Sequence, residues 1–265
     1  MPHARPLPPT LTDPRPLLRS GPLSPSAHAW LGDALARVAA RPTAIRALFP
    51  AARRHCGQAR LDAHWTADEA ARAALLTALP LRGRALADEV KGLYRHGDPA
   101  EQRAVLRALP LLDAADAADA ADAVDTGADT GGEDLVLVLL REALRGNDTT
   151  VIESALGPYG AARLPAAEYR QAVLKCLFCE IPLDHVAGLD VRADHELARM
   201  LVDFAHERIA AGRDVPPDVW PLVRAFPAVA TTLATRARDL APTRPEAAAR
   251  ALAALAVPEK PKEEA

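Results

Sequence analysis

From Ser24 onward, apolar residues recur at three- and four-residue spacing, in runs bounded by helix start and stop signals. Thr66-Ala67-Asp68-Glu69 has the form of a capping box, a hydroxyl at the N-cap and a carboxylate three residues later. Asp98-Pro99-Ala100-Glu101 repeats that logic, with proline at the first helical position, where a lost amide matters least. Glu133 and Asp134 open the apolar run Leu135 to Leu140, and Arg141 and Arg145 close it, which matches charge to the helix dipole. Gly146 follows as a C-cap. A further helix is predicted from Pro165 to about Glu180, before Pro182, and another from Asp194 to the Gly212 stop. Shorter periodic segments cover Asp218 to Phe226, Ala228 to Leu240 and Pro245 to Ala256.

Composition points the same way. Alanine, the best helix former, is the commonest residue, and aromatics are only 4% of the 265 residues, which argues against an all-β fold. The expected class is all-α, a multi-helix array of helical-hairpin or α-solenoid type in two lobes. Helix starts near 66, 98, 133, 165 and 194 are spaced by about thirty residues, although no known repeat signature accompanies them. Residues 1–23 carry repeated prolines and read as an extended, disordered arm, without the apolar middle region of a secretory signal. The two lobes are expected at 24–112 and 133–256, with a frayed charged tail at 257–265. Between them, 113–132 begins with an Asp-Ala-Ala triplet repeat, whose period does not keep carboxylates on one face of a helix of about 3.6 residues per turn. That stretch reads as an acidic linker.

The charge balance of −3 gives no general attraction to nucleic acid or anionic membranes. No segment has the roughly 18–20 uninterrupted apolar residues of a membrane span. Three cysteines in a chain of this length do not make a disulfide scaffold and point to a reducing, cytoplasmic setting.

Chemistry is sought where charge interrupts an apolar pattern. On a helical wheel of 194–213, His195, Glu196, Arg199, Asp203, His206 and Glu207 share one arc, while Arg208 lands among apolar residues. A buried guanidinium needs a carboxylate, helix-end carbonyls or an anionic ligand; otherwise its long stem snorkels to water. On the preceding helix, Glu168, Gln171 and Lys175 form a single polar stripe among apolar neighbours. Facing water, the stripe is an ordinary amphipathic face; facing inward, Lys175 binds an anion or acts as base or nucleophile. The corner Gly146-Asn147-Asp148-Thr149-Thr150 offers N-cap side chains, and its free amides suit either capping alone or an anionic group.

Other motifs carry less. Cys176-Leu177-Phe178-Cys179 lies deep in a predicted helix rather than at its N-terminus, which favours two small buried hydrophobes over a redox pair. Asp203, His206 and Glu207 lack the H-E-x-x-H arrangement, so no metal site and no cofactor is expected. There is no phosphate-binding glycine loop before a lysine, no G-x-S-x-G element, and no basic patch interleaved with aromatics.

Several linked blocks resemble the EboA-domain family over roughly residues 133–226. They are Arg145 through Val151, Val173-Leu174-Lys175, Ile181-Pro182-Leu183 with Gly188-Leu189-Asp190, Glu196 through Met200, and Ala205 through Arg208 with Ala210-Ala211-Gly212-Arg213. Tyr169 and Ile209 stand where that family tends to have tryptophan. The resemblance implies bacterial gene clusters that move or finish secondary-metabolite precursors. It also implies as partners a small-molecule metabolite and proteins of the same cluster, including a membrane prenyltransferase-like protein. Carried over by the pattern, Asn147, Thr149, Thr150, Lys175, Asp190, Glu207 and Arg208 are candidate ligand-binding positions, and Asp148 joins them as the cap of the same corner. The leading expectation is non-catalytic binding of an anionic or prenylated small molecule. The alternatives are a maturation enzyme using Lys175 and a helical-repeat scaffold for protein interactions.

Overall fold

The structure, a computed structural model, describes residues 13–122 and 134–256. Among the described residues there are fifteen α-helices and no strand, so the class is all-α as composition and periodicity predict. The chain forms two units, Met1–Leu164 and Pro165–Ala265.

The first unit contains α1 (Pro14–Ser20), α2 (Pro25–Ala40), α3 (Ile45–Cys56), α4 (Ala67–Thr77), α5 (Gly83–His96), α6 (Pro99–Asp122), α7 (Leu135–Arg145), α8 (Thr149–Ala155) and α9 (Pro158–Arg163). Its centre is α4, where every residue from Ala67 to Leu76 is buried. Five alanines within that stretch let α1, α2, α3 and α6 all approach the same helix. The Thr66–Glu69 capping box forms as the spacing predicts. A second box opens α6, with the Glu101 amide donating to Asp98 Oδ1 at 2.8 Å and the Asp98 amide to Glu101 Oε2 at 3.3 Å.

Burying α4 on all sides also buries its charges, and these are paired. Arg72, 1% exposed, lies 2.9 Å from Asp68 and donates through Nε to the Phe49 carbonyl at 3.1 Å. Glu69 meets Arg107 at 2.7 Å and Arg103 at 3.5 Å.

Two stretches are helical where the sequence reads as irregular. Pro14 to Ser20, assigned above to the extended arm, forms α1. Its N-cap Asp13 accepts from the Arg15 amide at 2.9 Å and holds the Arg15 guanidinium. Pro14 and Pro16 fall in the first turn, where no intrahelical amide bond is lost, and Leu18 is buried. Residues 1–12 of that arm lie outside the described residues. Likewise α6 runs on through the Asp-Ala-Ala repeat as far as Asp122, since alanine favours the helix whatever the carboxylate period. Asp113 accepts from the Tyr159 hydroxyl at 2.6 Å and from Arg163 at 3.0 Å, fastening α6 to α9. The rest of the predicted linker, 123–132, and the tail from 257 lie outside the described residues.

In the second unit are α10 (Ala166–Phe178), α11 (Leu189–Arg192), α12 (His195–Ala210), α13 (Val219–Arg224), α14 (Pro227–Leu240) and α15 (Pro245–Ala256). The buried stripe of α12 (Leu197, Leu201, Val202, Phe204, Ala205 and Ile209) is covered by α10, α13, α14 and α15. Its other side is the polar arc read from the wheel. There Arg199 bridges Glu196 and Asp203 at 2.8 Å each, and Arg236 of α14 adds a 2.7 Å contact to Asp203. Gly212, at φ +71, supplies the left-handed residue that turns the chain after α12. Helix lengths over the two units range from 4 to 24 residues. No helix among the described residues is long and apolar enough to cross a membrane.

A candidate binding groove in the second unit

How α10 ends decides the geometry of the site. After Phe178 the chain turns through Cys179 and Glu180, with Glu180 in the left-handed region at φ 58. The Ile181 amide returns to the Cys176 carbonyl at 2.9 Å and the Glu180 amide to Leu177 at 3.4 Å, the paired bonds of a Schellman motif. That position ordinarily takes glycine, so Glu180 holds a strained conformation. The turn throws Phe178 outward, where it is 69% exposed. A 3-10 turn at Leu183–His185 follows, held by the Leu183 amide donating to Asp218 Oδ2 at 2.8 Å.

Between this corner and the last turns of α12 lies a groove of about 1010 Å³. One wall is apolar, from Leu177, Phe178, Ile181 and Pro182 together with Phe204, Pro216 and Pro217. Phe178 and Phe204 meet edge to face at 5.3 Å between ring centres. The remainder is polar, from Arg208, Arg213, Glu180, Asp184, Glu207 and Asp218. Arg208 is half-buried, its Nε donates to the Asp214 carbonyl, and its guanidinium lies 5.7 Å from the Phe204 ring centre. Of the two sequence readings, the structure therefore combines snorkelling with capture of a carbonyl beyond the helix end. Neither Arg208 nor Arg213 has a carboxylate partner among the described residues. Asp218 Oδ1 and, on the neighbouring turn of α12, His206 Nδ1 are buried without a hydrogen-bond partner.

Of the predicted positions, the groove brings together Glu207 and Arg208. Lys175 is half-buried on α10 and is not among the lining residues of the groove. With exposed Gln171 and half-buried Glu168 it forms the partly solvated face of that helix. Asp190 is exposed on α11. Near it, Tyr169 is 1% exposed, donates to the Ala187 carbonyl at 2.8 Å and carries the Arg192 guanidinium 4.1 Å from its ring centre. Burial pushes its phenol up to about 12.

Asn147, Asp148, Thr149 and Thr150 belong to the first unit and are exposed. Asp148 caps α8, accepting from the amides of Thr150 and Val151 at 3.0 and 3.1 Å and from the Thr150 hydroxyl at 2.6 Å. These bonds, the hydroxyl's first, hold the Asp148 carboxyl below the usual aspartate range. Thr150 also accepts from Arg103 of α6 at 3.0 Å. Asp148 and Thr150 are thus engaged in capping and in tying α8 to α6. Cys176 is buried and Cys179 half-buried, as expected for small hydrophobes in the wall of a helix.

Sequence reasoning did not single out Phe178, Arg213 or Asp218 for the groove. A signal existed for Arg213, which directly follows the Gly212 stop and so stands where the chain turns back. None existed for Phe178, whose periodicity places it with the buried residues of α10. Among the described residues, no cluster of three or more His, Cys, Asp or Glu side chains is arranged to hold a metal ion.

No curated protein and no solved structure matches the chain. Residues 137–224, about a third of the chain and inclusive of every residue lining the groove, match the family model described as "Metabolite traffic protein EboA".

Proposed function

We propose that the protein handles a metabolite by binding it, without transforming it, in the groove of the second unit. The ligand class that suits the groove is a small amphiphilic anion, such as a prenylated or otherwise lipophilic precursor. The observation carrying this reading is the pairing of an exposed aromatic edge, Phe178 on Phe204, with two guanidiniums that have no carboxylate partner. The rings receive an apolar body and Arg208 and Arg213 receive its charge. Glu180, Asp184 and Glu207 border the same opening and oppose a long polyanion, which limits the charge to one end of a compact molecule. The family's metabolite-traffic description supports a handling role and is silent on the ligand.

Geranyl diphosphate, with geraniol as its uncharged counterpart, tests the reading by calorimetry on the full-length protein. Arg208→Met is expected to weaken geranyl diphosphate binding at least tenfold, about 1.4 kcal/mol, with the helical circular dichroism unchanged. Phe178→Ala is expected to weaken both molecules. Equal affinity for the wild type and Arg208→Met ends the proposal.

A further inference from the structure

A second cavity, of about 530 Å³, lies in the first unit between α3, α5 and the start of α6. Its size falls in the range of small-molecule sites. Phe49, Pro50 and Leu93 form its apolar part, and Glu101 lines it with a side chain from the first turn of α6. Glu101 is only 9% exposed, and its carboxylate is under-satisfied. Oε2 takes one long bond from the Asp98 amide at 3.3 Å, and Oε1 lies 3.9 Å from Arg72 Nη2. That guanidinium is already bound more closely to Asp68, at 2.9 Å. Two buried carboxylates therefore share one cation, while Arg103 and Arg107 are committed to Glu69. Burial, then the neighbouring Asp98, pushes the Glu101 carboxyl above the ordinary glutamate range, as an uncompensated charge requires.

The cavity is kept open at a cost. Gly92 sits in the interior of α5, where glycine is less favourable than alanine by roughly 1 kcal/mol. A side chain there would meet no atom within 4 Å, so the glycine leaves space rather than relieving a clash. On the facing helix, Pro50 interrupts the amide ladder of α3, having no amide hydrogen for the Arg46 carbonyl. On the α5 side, Glu89 is closed off by a bidentate pair with Arg46 at 2.8 and 2.9 Å, so Glu101 is the buried carboxylate left short of a cation.

We infer that this cavity is a second binding site, independent of the groove, for a small organic ammonium ion, with Glu101 as its counter-charge and Phe49 and Leu93 as the apolar seat. An ammonium group supplies both the missing charge and donors for Glu101 Oε1.

The probe is benzylamine, with benzyl alcohol as its neutral counterpart, titrated into the full-length protein by calorimetry. Saturable binding of benzylamine and at least tenfold weaker binding of benzyl alcohol are expected. Glu101→Gln keeps an oxygen for the Asp98 amide and should weaken benzylamine at least tenfold. Gly92→Leu alters no charge, should abolish binding by filling the space, and should raise the melting temperature. It decides the matter if Glu101→Gln folds poorly. Arg208→Met should bind benzylamine as the wild type does, which separates this site from the groove. Absence of saturable benzylamine binding, equal binding of the alcohol, or wild-type affinity in Gly92→Leu overturns the inference.

Discussion

At the scale of single residues, the protein is unusual for what it buries. Glu101 and Arg72 lie inside an alanine-lined bundle, and one guanidinium serves two carboxylates. Desolvation disfavours the charged form of Glu101, so its folded pKa stands above its unfolded value. The folded state then holds the proton more tightly, and stability falls as pH rises from the ordinary glutamate range, about 4.3, through the raised folded value. The carboxyls of Asp13, Asp148 and Glu142 are lowered by hydrogen bonds to Arg15, Thr150 and Arg95, and they contribute the opposite slope, losing stability as pH falls. Comparing wild type with Glu101→Gln isolates the first effect. Urea midpoints measured from pH 4 upward should show the wild type losing its advantage over the variant as pH climbs. A constant difference would contradict the assigned direction.

At the scale of elements, start and stop chemistry explains most helix boundaries. The capping boxes at Thr66 and Asp98 and the caps at Asp134, Asp148 and Asp194 all form from the residues whose spacing announces them. The end of α10 departs from that pattern, because Glu180 occupies the left-handed position a glycine would take without strain. Glu180→Gly should therefore stabilise the protein by about 0.5–1 kcal/mol, measured by chemical denaturation. A loss of stability would mean that the Glu180 side chain holds the corner through contacts worth more than the backbone strain. Elsewhere an element needs its glycine for space. A Cβ on Gly160 of α9 would stand 2.0 Å from the Ala155 carbonyl oxygen, which is how α9 follows α8 so closely.

At the scale of the whole molecule, buried charge and open groove belong to different units. Removing Arg72 as Arg72→Met leaves Asp68 and Glu101 without their shared cation, a change expected to cost about 3–5 kcal/mol. Hydrogen exchange should localise that loss to α3, α4 and α6, leaving the amides of α12 and α14 protected as in the wild type. Equal loss of protection in both units would show that they open together.

Much of this was legible in the chain alone. Helical class, caps and the polar arc of α12 are local properties, set by propensity and by a period of about 3.6 residues, so sequence determines them. The EboA resemblance rests on ordered blocks and is likewise a property of sequence. What neighbours surround a side chain is not local. Lys175 and Arg208 are both cations on largely apolar helices, yet of the two only Arg208 borders the groove, because the corner after Phe178 and the turn at Gly212 bring that end of α12 to α10. Asp68 and Glu69 read from the sequence only as members of a capping box; their burial, and that of Arg72, follows from α1, α2, α3 and α6 closing around them. Tertiary structure alone decided which charges left water, since burial is the sum of contacts from residues far apart in the chain.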